Sequence, residues 1–272
     1  MPVDPRDLYL NLLKKTLTRY DMGDDRFPIG GRNPAVRLAA HATTALLRPL
    51  GLDLCHYRPF EQQGRDVGRD WPGTAETMIG LRRLDNLEEC ITTILEEHIP
   101  GDALEAGVWR GGASIFMRAA LNVLGGDDRL VWVADSFQGL PPPDPNVSAD
   151  QGVDYYKDKG LAISLDTVKA NFAKYDLLGD NIRFLEGWFA ATLPVAPIKD
   201  LALLRADGDM YASTMDTLNP LYPKVSPGGF VIIDDYGAVD ACRKAVDDFR
   251  AARDIRAPLT EIDWSGVYWR KE

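Results

Sequence analysis

Leu201-Ala202-Leu203-Leu204-Arg205-Ala206 runs directly into Asp207-Gly208-Asp209, and Gly229-Phe230-Val231-Ile232-Ile233 runs into Asp234-Asp235-Tyr236. A continuous run of this length, bounded by Gly or Asp, reads as a buried strand of a parallel sheet. Ligands bind open α/β sheets outside the carboxyl ends of such strands. If these two strands are neighbours, Asp207, Asp234 and Asp235 meet at one point. Three carboxylates cannot share a small volume at neutral pH without a cation between them. An all-oxygen donor set calls for a hard divalent ion such as magnesium.

From Asp102 onward the chain alternates between strand and helix patterns. Strands are expected over Ala103–Ala106, Leu130–Ala134 and Ile182–Glu186, besides Leu201–Ala206 and Gly229–Ile233. Helices fit Ala113–Leu124, Leu165–Tyr175, Met215–Tyr222 and Val239–Ala252, with one more before them around Asp85–Glu97. The alternation predicts a doubly wound α/β domain. A terminal antiparallel hairpin is expected from Leu259–Asp263 and Val267–Arg270 across Trp264-Ser265-Gly266. Residues 138–163, with Pro141-Pro142-Pro143 and Tyr155-Tyr156, are too long for a plain connection and read as a lid.

The first strand ends Glu105-Ala106-Gly107-Val108-Trp109-Arg110-Gly111-Gly112. This is not the dinucleotide spacing G-x-G-x-x-G. Gly107 permits a tight turn, and Gly111-Gly112 permit close approach of a ligand before the helix starts, with packing alone as the lesser alternative. A strand-end carboxylate suits an ammonium better than a pyrophosphate. S-adenosylmethionine carries an ammonium and a sulfonium and no phosphate. Asp135, at the end of the second strand, is placed either for a ribose diol or for a structural cap. After the third strand, Gly187-Trp188-Phe189 offers two aromatic rings to an adenine, or to the core.

The 272 residues carry 31 basic and 41 acidic side chains, a formal charge of -10, which argues against nucleic acid and an anionic membrane surface as partners. Cys55, Cys90 and Cys242 form neither a disulfide framework nor a zinc pattern. With no signal-peptide core near Met1, these features predict a cytoplasmic protein. Residues 1–20 and Ala35–Leu50 are expected to be helices, and 51–75 irregular, so 1–75 reads as a helical extension ahead of a domain over 76–272.

Glu105–Gly112, Val131–Gln138, Asn171–Gly179, Gly187–Phe189, Asp207–Tyr211 and Ser226–Tyr236 jointly resemble the macrocin O-methyltransferase family. Its members methylate sugar hydroxyls of glycosylated natural products such as macrolides and aminocoumarins. Residues 7–20, Thr77–Gly80, Arg83–Asn86 and Gly266–Arg270 extend the resemblance. It implies a class I methyltransferase (Rossmann-like) fold, with S-adenosyl-L-methionine as cofactor and Mg2+ on Asp207, Asp234 and Asp235. Cofactor contacts are implied at Thr77, Met78, Ile79, Glu105, Gly107, Trp109, Arg110, Gly111, Gly112 and Ala113. The implied set continues through Asp135, Ser136, Ser164, Gly187, Trp188 and Phe189. Asp207 is the implied general base, with Asp209 second. Residues 21–70 and the lid depart from the family pattern, and both are expected to face a glycosylated small-molecule acceptor. A homo-oligomer is compatible with the helical extension. Competing readings are methylation of a catechol or phenol on the same ion, and an inactive cofactor-binding partner protein.

Overall fold

The computed structural model describes residues 4–22, 25–28, 34–52 and 54–272. Its elements run α1 (Pro5–Leu17), β1 (Asp25–Pro28), α2 (Pro34–Leu47), β2 (Cys55–Arg58), α3 (Gln62–Asp66), α4 (Leu81–Glu96), β3 (Asp102–Ala106) and α5 (Gly112–Leu124). They continue with β4 (Val131–Asp135), α6 (Leu165–Lys174), β5 (Ile182–Glu186), α7 (Phe189–Thr192), β6 (Leu201–Ala206), α8 (Tyr211–Leu221) and β7 (Val225–Ile233). The chain closes with α9 (Asp240–Ala252), β8 (Thr260–Glu261) and β9 (Val267–Arg270).

Seven strands form one sheet in the order β5-β4-β3-β6-β7-β9-β8. The pairs from β5 to β7 are parallel, and β9 runs antiparallel to both β7 and β8. The mostly parallel α/β sheet and its terminal hairpin are as expected. The chain steps outward from β3 to β5, then returns to place β6 on the other side of β3. That reversal is the switch point at which α/β sheets bind ligands.

Alternate residues of the central strands face two cores. Ala103, Val131, Val133 and Leu203 pack with α1, α4 and α5 on one face. Leu104, Trp132, Leu204 and Val231 pack with α8 and α9 on the other. Helix α4 shows why the pattern yields this arrangement. Leu84, Leu87, Ile91 and Ile94 recur at three- and four-residue steps and are buried. At roughly 1.5–3 kcal/mol per buried side chain, this stripe fixes α4 to the sheet.

The N-terminal segment departs from a simple helical extension. Leu10, Leu13 and Leu17 of α1 belong to the same core as α4 and α5, and buried Lys14 pairs with Asp85 and Glu88 of α4. Strands β1 and β2 pair antiparallel, and α3 follows, where 51–75 was expected to be irregular. Four-residue strands are too short to display a period in sequence. Residues 1–3 of the first expected helix, and residues 23–24, 29–33 and 53 of the expected extension, lie outside the described residues. Helix α8 begins at Tyr211, four residues before the expected Met215, because a carboxylate distant in sequence caps it. No helix among the described residues is long and apolar enough to cross a membrane.

Candidate active site

Backbone hydrogen bonds carry the parallel ladders one residue past the strand ends. Gly107 N donates to Ala134 O (2.9 Å), Asp207 N to Ala106 O (2.8 Å) and Asp234 N to Ala206 O (3.0 Å). Asp135, Gly107, Asp207 and Asp234 thus stand at one height on four neighbouring strands. Asp235 follows directly. Asp207, Asp234 and Asp235 each bring one carboxylate oxygen within 4.8 Å of the other two. The expected acidic cluster is assembled by register alone.

Arg205 sits beneath this cluster, 2% exposed. It is the register partner of Glu105 on β3. Its Nη1 donates to Glu105 Oε1 at 2.5 Å and to Asp207 Oδ2 at 3.1 Å, while Nη2 donates to Asp234 Oδ1. Arg83 of α4 donates from Nη1 to Asp234 Oδ2 (2.5 Å) and from Nε to Asp263 Oδ2 (2.9 Å). Glu105 also accepts from Ser114 Oγ. The strand-end acid first expected to meet an ammonium therefore serves Arg205, although it still lines the cleft.

Among the described residues, Glu105, Asp207, Asp209, Asp234 and Asp235 face these two guanidiniums, and the imbalance shows in their ionisation. Burial, and then the Asp234 charge, push Asp207 up to about 6. Burial, then Asp207 and Asp234, push Asp209 up to about 7. Asp235 is raised well above its ordinary value by burial and by Asp209 and Asp207. Glu105 is raised to about 7 by burial against the pull of Arg205. Burial also opposes the charge on Asp234, but Arg205 and Arg83 outweigh it and hold that carboxyl below its usual range. An excess of buried negative charge with converging oxygens fits a divalent cation. The oxygens of Asp234 are engaged by guanidiniums but keep a second lone pair each.

On the other side of β3 the cleft is lined by Thr77, Met78, Ile79, Glu105, Gly107, Trp109, Asp135, Ser136, Trp188 and Phe189 among the expected cofactor residues. Asp135 accepts from Val108 N and Phe137 N, both at 2.8 Å, so it braces the turn as well as facing the cleft. Arg110, Gly111, Gly112, Ala113, Ser164 and Gly187, also expected to contact the cofactor, do not line the cleft. Arg110 turns away and donates to Gly73 O and Ala75 O. Added Cβ atoms on Gly111 and Gly112 would meet Val168 at 2.9 Å and Glu76 O at 2.5 Å, so these glycines serve close packing. Ala113 is buried inside α5. Ser164 caps α6, its hydroxyl accepting from Thr167 N. Gly187, at φ +138°, turns the chain ahead of Trp188.

The cleft holds about 590 Å³ and passes from Trp188 to the acidic cluster. Gly139, Leu140, Pro141, Pro142, Tyr155 and Leu161 of the expected lid line the cleft, as do Gly68, Trp71 and Trp264. Trp109 Nε1 donates to Gly160 O of the lid (2.9 Å). Asp209 lines the same space, and its N donates to Asp235 Oδ2 at 3.1 Å. Trp109, Phe137 and Asp209, which follow β3, β4 and β6, all hold positive φ. Such strain gathers where a site dictates the backbone.

Arg205, Arg83, Asp263 and Asp150 were not anticipated. Arg205 carried a signal: an arginine inside a central apolar strand requires buried carboxylates, and Glu105 was available at the matching height. Arg83, Asp263 and Asp150 depend on contacts between distant segments.

The geometry can be set beside known proteins. The family model for macrocin-O-methyltransferase (TylF) matches residues 6–271. The chain belongs to this family. It is 47% identical over 272 residues to the 8-demethyl-8-(2,3-dimethoxy-alpha-L-rhamnosyl)-tetracenomycin-C 4'-O-methyltransferase of Streptomyces olivaceus, covering 99% of this chain and 95% of that one. It is 44% identical over 269 residues to the mycinamicin III 3''-O-methyltransferase of Micromonospora griseorubida, covering 97% and 96%. The solved structure of the O-methyltransferase NovP superposes with a TM-score of 0.84 at 42% identity, covering 98% of this chain and 99% of that one. This macrocin O-methyltransferase family member is an S-adenosylmethionine-dependent O-methyltransferase with the class I fold.

Proposed function

We propose that this methyltransferase methylates a sugar hydroxyl of a glycosylated natural product, with a divalent cation held by Asp207, Asp234 and Asp235. The observation that carries the reading is the convergence of those three carboxylates beside a cleft that also reaches the cofactor-side turn. The tetracenomycin relative bears a rhamnosyl substrate in its name, which supports a deoxysugar acceptor.

A sugar hydroxyl becomes a competent nucleophile only as it loses its proton. Bound magnesium would orient vicinal sugar oxygens and stabilise the developing alkoxide. S-adenosylmethionine supplies a methyl on a sulfonium, so that the new O–C bond forms as the C–S bond breaks and S-adenosylhomocysteine leaves. Asp209 takes the hydroxyl proton in this reading. Asp207 was the expected base, but it is a member of the triad and accepts from Arg205. No hydrogen bond to the Asp209 carboxylate is found among the described residues. Arg205 and Arg83 hold Asp234 in place, and the lid and Trp71 exclude water and orient the acceptor. A net charge of -10 and unpaired Cys55, Cys90 and Cys242 support a cytoplasmic protein without a nucleic-acid partner. Exposed Leu38 and Leu46 on α2 support association between copies.

The test is methyl transfer to a panel of deoxysugar glycosides and catechols, with Mg2+ or EDTA. Asp235→Asn is expected to lose metal-dependent turnover by about 100-fold or more while binding S-adenosylhomocysteine normally. Asp209→Asn is expected to lose turnover by about 10²–10⁴-fold with Mn2+ binding retained. Preference for the catechols would replace the acceptor reading, and EDTA-insensitive turnover would remove the metal.

A further inference from the structure

Asp150 lies in the lid and is wholly buried. Its carboxylate accepts from Tyr211 N at 2.6 Å and Ala212 N at 3.0 Å, the first amides of α8. A helix leaves such amides without partners, and a local Ser, Thr, Asp or Asn normally satisfies them. Here the N-cap position is Met210, which has no capping side chain. The lid supplies the cap from sixty-one residues away.

The stretch that this cap terminates is the acid loop, Asp207 to Met210. One end is fixed by the ladder bond from Asp207 N to Ala106 O. Between the ends, Asp209 holds φ +56° and Met210 N donates to Gly208 O across a tight turn. The other end is the start of α8, and Asp150 grips it. Tyr211 is held again on its far side, where its hydroxyl donates to Asp248 Oδ2 of α9 (3.0 Å). Val153, three residues beyond Asp150, packs against the same apolar cluster as Tyr211.

We propose that Asp150 is a positioning residue that ties the lid to the acid loop, so that closing the lid and setting Asp207 and Asp209 are one event. The inference rests on the metal reading above only for its probe, Mn2+. The lid contributes no ligand to the triad, yet it responds to the ion through this carboxylate.

The experiment is hydrogen exchange of the intact protein with and without Mn2+, together with Mn2+ and S-adenosylhomocysteine titrations of wild type, Asp150→Ala and Asp150→Asn. In wild type, Mn2+ is expected to slow exchange across 147–153 as well as 207–214. Asp150→Ala is expected to bind Mn2+ about tenfold more weakly and to lose the slowing in the lid, with S-adenosylhomocysteine affinity within about twofold. Asparagine keeps one acceptor oxygen for these two amides, so Asp150→Asn restores both in part. Slowing confined to 207–214 in wild type, or unchanged Mn2+ affinity in Asp150→Ala, overturns the tie. Equal loss of both ligands with no rescue by Asn also overturns it, as a general folding effect. A wild type that binds no Mn2+ overturns the metal reading instead. The tie is then judged by exchange alone: 147–153 and 211–214 must loosen together in Asp150→Ala, and loosening of 211–214 only refutes it.

Discussion

A Cβ built on Gly107 would fall 1.7 Å from the carbonyl oxygen of Asp207. The turn after β3 and the first acid of the carboxylate cluster are therefore in backbone contact, with no room for a side chain between them. Gly107 also holds φ +89°, a conformation that L residues disfavour. Gly107→Ala is expected to destabilise the fold by about 2–4 kcal/mol from overpacking and strain, and to weaken S-adenosylhomocysteine and Mn2+ together. Urea denaturation and titration measure both. Gly73→Ala, with nothing near its added Cβ, is the control and should stay within about 0.5 kcal/mol. A Gly107→Ala protein that matches this control would refute the contact.

Arg205→Met removes the cation that pairs with Glu105, Asp207 and Asp234 alike. Breaking a buried pair from one side leaves uncompensated charge and is expected to cost about 3–5 kcal/mol. Because the orphaned groups are acids, the loss should shrink at lower pH. A denaturation series across pH 5 to 8 checks the sign, and a pH-independent loss would point to packing instead.

If the acidic cluster holds the proposed cation, its ionisation sets how the affinity for that cation varies with pH. Asp207 at about 6, and Asp209 and Glu105 at about 7, lie above their ordinary values of 3.8 and 4.5. Between those limits the folded chain holds more protons than the unfolded one, so stability without metal falls as pH rises. Asp234 has the opposite sign, and its contribution is lost below its ordinary 3.8. A cation must displace the retained protons, so Mn2+ affinity should rise between pH 5 and 7 by up to about tenfold per unit for each proton released, then level off. Calorimetry in buffers of different ionisation enthalpy counts those protons. Flat affinity over this range would remove the triad as the metal site.

Trp188 is 41% exposed and lines the cleft beside Phe189. If its ring stacks on the cofactor base, Trp188→Ala should raise the S-adenosylhomocysteine Kd roughly tenfold, and Trp188→Phe should recover most of it. Thermal stability should move little, because the ring is not a core group. A lower Tm with an unchanged Kd would assign Trp188 to packing.

Sequence alone determined the parallel sheet, the helices between its strands, the terminal hairpin and the carboxylates that close β3, β4, β6 and β7. These are local properties: apolar period, strand length, and Gly or Asp at the ends. Parallel register then brought Asp207 beside Asp234 with little freedom for another outcome. Tertiary structure alone decided which acids are neutralised. Arg83 reaches Asp234 from α4, Asp263 returns to Arg83 from the terminal hairpin, and Asp150 caps a helix from the lid. It also decided that Gly111 and Gly112 serve packing and that Ser164 caps α6. Such contacts join segments far apart in sequence, and a side chain's partner is set by where the fold delivers it. A periodic pattern can reveal which face of an element is buried, but not which distant charge will meet it there.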